Sequence, residues 1–114
     1  MSNVKTWPQQ IVERGNEIIA MKEMNILIRK AKDRDEEAMM QLIELFNPLL
    51  KKQAALFKQM GLEYEDAYQQ GVLYFITGVY KYQPMPPVTF AGYMKKRIKW
   101  GLWMYWRKQF KTGE

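Results

Sequence analysis

The sequence predicts an all-α fold, a compact bundle of about five helices. Three observations carry that expectation. Apolar residues recur at spacings of three and four, the repeat that gathers side chains on one side of a helix. No segment sustains a period-two alternation, and no Asn-Gly or Asp-Gly pair offers a hairpin turn. Capping and stop residues cut the apolar pattern into pieces of roughly 8–20 residues, the usual helix lengths. A chain of 114 residues fits one domain with a real core, and an apolar content of 47% argues against disorder.

Trp7-Pro8 opens the first helix, with Pro8 suited to a first turn, and the helix runs from about Gln9 to Lys32. Ile11, Ile18, Ile19, Met24, Leu27, Ile28 and Ala31 are its apolar residues, and Gly15 or Asn25 is the point of a break or bend. Asp33-Arg34-Asp35 is a polar turn. Asp35 caps the second helix ahead of Glu36 and Glu37, whose charges suit the positive end of a helix dipole. That helix is expected to bury Ala38, Met39, Leu42, Leu45 and Phe46. Asn47 then caps a third helix with Pro48 in its first turn. Leu49, Leu50, Ala54, Phe57 and Met60 form the stripe of this helix, and Gly61 its stop. The fourth helix spans about Glu65 to Lys81 with Tyr68, Val72, Phe75, Ile76 and Val79 on one side. Gln83-Pro84-Met85-Pro86-Pro87 is a stiff loop, since its prolines exclude a helix. Thr89 caps the fifth helix, which continues to about Phe110 and turns Phe90, Met94, Ile98, Gly101, Leu102 and Tyr105 toward the core.

Composition narrows the function. Cysteine and histidine are both absent, which removes disulfides, thiol nucleophiles, cysteine-type zinc sites and the commonest general base. The carboxylates are scattered or paired with lysines, so neither an enzyme nor a cofactor or metal is expected. No leader-like segment opens the chain, and no apolar run reaches the roughly 20 residues of a membrane span, so a cytoplasmic protein is expected.

Charge is informative through its distribution. Up to Asp66 the chain holds 10 Lys/Arg against 11 Asp/Glu, whereas Ala67 to Gly113 holds 8 Lys/Arg and no acid. Such a block attracts polyanions through its long-range field and through counterion release. Most of the charge sits on the fifth helix, as Lys95, Lys96, Arg97, Lys99, Arg107, Lys108 and Lys111, interleaved with Trp100, Trp103 and Trp106. Cations beside flat aromatic faces suit unpaired nucleotides, because lysine and arginine hold phosphates while indoles and phenols stack on bases. Tryptophans at this spacing also serve as core or helix-packing residues. A helix lying on a membrane surface has a similar composition, but here lysines and tryptophans are interleaved rather than split into two faces.

The order of motifs resembles the second conserved region of bacterial sigma-70-family factors. Glu65-Asp66-Ala67-Tyr68-Gln69-Gln70-Gly71, Val79-Tyr80-Lys81-Tyr82-Gln83-Pro84 and Thr89-Phe90-Ala91-Gly92-Tyr93 follow one another as the family's Glu-Asp-Leu-x-Gln-Glu-Gly, Ala-Val-x-Lys-Phe-x-Pro and Phe-Ser-Thr-Tyr do. Leu27 to Ala38, with Asn47-Pro48-Leu49-Leu50, looks like the family's opening helix pair. The resemblance implies a region-two-like domain over 27–111, behind an N-terminal helical extension over 1–26. It implies a polymerase-binding face at Asp66, Gln69 and Gln70, docking on a coiled coil of the largest catalytic subunit of core RNA polymerase. It also implies a contact with the single-stranded non-template strand of the promoter −10 element, through Phe90, Tyr93, Lys95, Lys96, Arg97, Lys99, Trp100 and Trp103. Phe90 and Tyr93 fall on the family's aromatics that pocket a flipped base.

The departures are specific. The family's paired tryptophans fall on Lys96 and Arg97, its docking glutamate on Gln70, its Ser-Thr pair on Ala91-Gly92 and its upstream −10 readers on Trp100 and Trp103. No helix-turn-helix region-four module follows Lys111, so a second protein carrying one is the expected partner for −35 recognition. The alternative implied by these departures is a sigma-like interaction protein that binds polymerase or a sigma partner without touching DNA.

Overall fold

A computed structural model describes residues 22–111. They form helices α1 over 22–32, α2 over Glu36–Leu45, α3 over Asn47–Gln59, α4 over Tyr64–Lys81 and α5 over Phe90–Lys111. No strand occurs among the described residues; an isolated bridge joins Met85 and Val88 in the loop before α5. The all-α expectation holds. The expected helix start at Trp7-Pro8 and Gln9, with Ile11, Gly15, Ile18 and Ile19, lies outside the described residues. The division between 1–26 and 27–111 falls inside α1, which runs unbroken through Asn25.

Local chemistry explains the ends of the helices. The amide of Arg34 donates to Ala31 O and that of Asp35 to Lys30 O, both at 3.0 Å, so α1 closes in a Schellman turn. Arg34 takes the left-handed position at φ 72°, which costs a non-glycine residue about 1–2 kcal/mol. Its guanidinium lies 4.6 Å from the centre of the Tyr80 ring, a contact that offsets part of that cost. Asp35 caps α2 as expected, its Oδ1 accepting from the Ala38 amide at 3.1 Å. Gly61 ends α3 in the same turn at φ 112°, with Gly61 N donating to Lys58 O and Leu62 N to Phe57 O. Thr89 Oγ1 accepts from the Gly92 amide at 3.0 Å and starts α5. Asn47 does not cap α3. It lies inside the helix, and its Oδ1 accepts from the Tyr68 hydroxyl at 2.5 Å, tying α3 to α4.

α4 is the central element, packed against α2, α3 and α5, while α3 also meets α2 and α5. Its innermost line is Ala67, Gly71, Phe75, Gly78 and Val79. Tyr68, Val72 and Ile76, expected on this face, flank that line half-buried. The small residues let α5 run close alongside. A Cβ at Gly101 would stand 2.6 Å from the Tyr74 ring, and one at Gly78 would stand 2.6 Å from the Arg97 side chain. α5 answers with Phe90, Met94, Ile98 and Leu102, all buried, four residues apart on one inclined row. Two expected core residues are exposed instead. Leu45 is 57% exposed because α2 ends there, and the next residue, Phe46, turns its ring to Phe75 and Phe90 at 5.3 and 5.4 Å. Met60 is 38% exposed because α3 stops one residue earlier. Among the described residues no helix is long and apolar enough to cross a membrane.

Candidate nucleic-acid interface

The buried row of α5 sets the register of everything else on that helix. At 100° per residue, Lys96, Lys99, Trp100 and Trp103 fall within about 100° of arc on the side away from the row. All four are exposed, as is Lys95 at the edge of this face; Trp100 is 60% exposed. Arg107 shares the same arc and is exposed too. It belongs to this surface, although the sequence motifs alone did not single it out as a site residue.

Two grooves flank this ridge. The larger, about 740 Å³, lies between α3 and α5 and is lined by Gln53, Leu56, Phe57, Gln59, Met60, Lys96, Lys99, Trp100 and Trp103. The smaller, about 460 Å³, lies between α4 and α5 and is lined by Tyr74, Tyr93, Lys96, Arg97, Trp100, Gly101 and Met104. Lys96 and Trp100 line both grooves, so one cation and one indole stand on the divide.

The tryptophans separate by role. Trp106 is half-buried and its Nε1 donates to Met60 O at 2.8 Å, pinning the end of α5 to the end of α3. Trp103 stacks on Trp106 with ring centres 5.2 Å apart and planes 20° apart, leaving its outer side on the larger groove. Trp100 is the most exposed of the three.

Two expected base-contact residues occupy other environments. Phe90 is a core residue, 7% exposed, with Phe46, Phe75 and Tyr82 packed edge-on at 5.4, 6.2 and 4.9 Å. Stacking a base on it would require this cluster to open; as placed, Phe90 packs the start of α5 onto the core. Tyr93 is half-buried, its hydroxyl donating to Gly78 O at 3.2 Å and its ring 5.1 Å from Tyr82, yet it lines the smaller groove. Arg97 turns back onto α4, where Nε donates to Tyr74 O and Nη2 to Thr77 Oγ1, each at 3.1 Å. Those two bonds orient it for packing, with fewer donors left for phosphate.

The expected polymerase-binding residues sit together near the start of α4. Asp66 and Gln70 are half-buried and Gln69 is exposed, spaced so that all three share one side of the helix. Asp66 has a partner within the fold that sequence reasoning missed: its Oδ2 accepts from the Tyr105 hydroxyl at 2.6 Å. This bond, then burial and the Asp66 charge, push the Tyr105 hydroxyl above the usual tyrosine range. Burial alone does the same to Tyr74. The start of α4 is thereby coupled to the basic helix.

Gln53 is the least expected member of the site. It lies in the buried row of α3 among Leu50, Ala54 and Phe57 and is 3% exposed. Its Oε1 is buried with no hydrogen-bond partner among the described residues. An acceptor so placed costs about 1–3 kcal/mol.

No family model, curated protein or solved structure matches the chain.

Proposed function

We propose that this protein is a transcription initiation subunit of the sigma region-two type. In this reading α5 holds the single-stranded non-template strand of a promoter −10 element, and Asp66, Gln69 and Gln70 dock on core RNA polymerase. A partner protein carrying a helix-turn-helix supplies −35 recognition. The observation that supports this most is the ridge of Lys95, Lys96, Lys99, Trp100 and Trp103, exposed on a helix whose opposite side is the buried row. Lysines placed along the ridge suit successive phosphates, and an indole between them suits a base, with stacking worth about 1–3 kcal/mol. The acid-free stretch from Ala67 to Gly113 adds an attractive field over the same helix.

The test has two parts. Co-purification with core polymerase, alone or with the partner, is expected. So is salt-dependent binding of a single-stranded −10 oligonucleotide, followed by fluorescence anisotropy. With three lysines on phosphates, the slope of log K against log salt is about −2, from roughly −0.7 per phosphate on a single strand. Failure to bind polymerase sinks the reading.

One observation favours a second reading, in which the protein binds polymerase or a sigma partner without DNA. Phe90 is enclosed in the core and Arg97 is turned onto α4, so two of the expected DNA contacts are otherwise engaged. Polymerase binding without any oligonucleotide binding would establish it.

A further inference from the structure

We propose that the groove between α3 and α5 receives α2 of a second copy of this chain. In that contact Met40 lies against the outer side of Trp103, with Glu36 and Glu44 on Lys99 and Arg107. The inference goes beyond the single-strand reading and does not rest on it.

Charge is sorted by helix. The charged residues of α2 are Glu36, Glu37 and Glu44, whereas α3 and α5 carry only lysine and arginine. Each side also exposes apolar groups, the usual mark of an interaction surface. Met40 on α2 is 69% exposed, and the groove presents Leu56, Met60, Trp100 and Trp103, all exposed. The register matches as well. Glu36, Met40 and Glu44 follow at four-residue spacing, a row about 12 Å long at 1.5 Å per residue. Lys99, Trp103 and Arg107 repeat that spacing on the exposed side of α5. Acid, apolar and acid thus face base, aromatic and base over an equal length. Both rows read the same from either end, so the match holds for either direction of α2. Among the described residues none of these four charged side chains has a partner within the fold. Nor can α2 reach the row in its own chain, because it packs on α3 and α4 and does not meet α5. The contact therefore forms between copies. Helices pack about 8–10 Å apart, which brings Met40 to the indole, and a thioether is a favourable neighbour for an aromatic ring. A polyanion cannot cover the acidic face of α2, whereas a basic aromatic surface can, and this chain carries one. The contact covers Lys99 and Trp103, so self-association and strand binding on the ridge exclude each other.

Sedimentation velocity of the full chain, over a range of protein and salt concentrations, reads the contact. The parent is expected to associate as its concentration rises, and less so as salt screens the charges. Glu36→Lys with Glu44→Lys, and separately Lys99→Glu with Arg107→Glu, place like charges opposite one another. Each double variant is expected to weaken association about tenfold or more. An equimolar mixture of the two is expected to regain the parental association, because each supplies the charges the other needs. Met40→Ser leaves every charge in place and is expected to weaken association at unchanged salt dependence; it serves should a charge-reversed variant fail to fold. A parent that stays monomeric at millimolar concentration overturns the proposal, and if it still binds a single-stranded oligonucleotide the ridge belongs to nucleic acid. Association that both double variants retain overturns it too, as does a mixture that fails to associate. A monomer that loses core polymerase on Lys99→Glu with Arg107→Glu assigns the groove to another protein and overturns the self-contact.

Discussion

Tyr105→Phe is a direct probe of how the two proposed surfaces communicate. The substitution removes one oxygen and with it the 2.6 Å bond to Asp66 Oδ2, the tie between the first turn of α4 and the second half of α5. A hydrogen bond to a charged group contributes about 1.5–3 kcal/mol when buried. Both partners are only half-buried, so solvent reduces the expected loss to about 1 kcal/mol. With a urea m-value of about 1–3 kcal/mol/M, the unfolding midpoint falls by roughly 0.3–1 M at unchanged slope. Asp66→Ala should cost a similar amount, and the double variant little more than either alone. Alkali supplies a second readout. The Tyr105 hydroxyl is raised chiefly by its bond to Asp66, so its folded pKa exceeds its unfolded one. The neutral form is favoured by folding, and the contribution is complete below the unfolded tyrosine pKa. It is lost as pH rises through the folded value, and Tyr105→Phe should lose stability less steeply in that alkaline window. Additive single and double variants, with unchanged alkaline behaviour, would refute the coupling.

The other predictions concern packing and charge. Phe90→Ala should cost about 3–5 kcal/mol in denaturant unfolding, because it empties the centre of the aromatic cluster. Any oligonucleotide binding it loses should therefore follow the unfolded fraction. Gly101→Ala should cost about 1–3 kcal/mol, seen as a lower thermal midpoint, since its methyl would press on the Tyr74 ring. Lys99→Ala should leave the midpoint unchanged and reduce the magnitude of the salt slope of single-strand binding by about 0.7. Asp35→Ala should remove about 1 kcal/mol by uncapping α2, also read in the midpoint.

Helix boundaries were legible because each rests on a short-range device. Asp35, Gly61 and Thr89 act within three to five residues of themselves, and all three perform the expected role. Asn47 shows where that logic stops. Asn-Pro is a sound cap signal, but the Tyr68 hydroxyl, 21 positions away, takes the side-chain oxygen. The face of α4 was half legible for a related reason. Counting large apolar residues found Phe75 and Val79 but passed over Ala67, Gly71 and Gly78, the last of which lets the Met94 and Arg97 side chains of α5 come close. Gln53 was invisible, because an amide in an apolar row reads as a surface position until the neighbouring helices are placed. Asp66 was singled out, but for a partner protein. Its bond to Tyr105 spans 39 positions and leaves no local trace.

The tryptophans are the instructive middle case, since the arithmetic that sorts them needs only one further fact. Residues three apart step by 300°, so Trp100, Trp103 and Trp106 retreat around α5 by 60° each time. Taking the buried row to end at Leu102, Trp106 lies about 40° from it, Trp103 about 100° and Trp100 about 160°. Their environments follow that order: Trp106 tethered to Met60, Trp103 stacked on it from the outside, Trp100 exposed. The missing fact was that α5 passes the end of α3, where the Met60 carbonyl that receives Trp106 lies just beyond the last turn. The stop at Gly61 therefore does two jobs: it ends α3, and it leaves the acceptor that fixes one indole as structure. The other two are left facing the groove where Gln53 lacks a partner. A basic helix with three tryptophans thus divides along its length, the last tethered into the packing and the first two exposed on the groove.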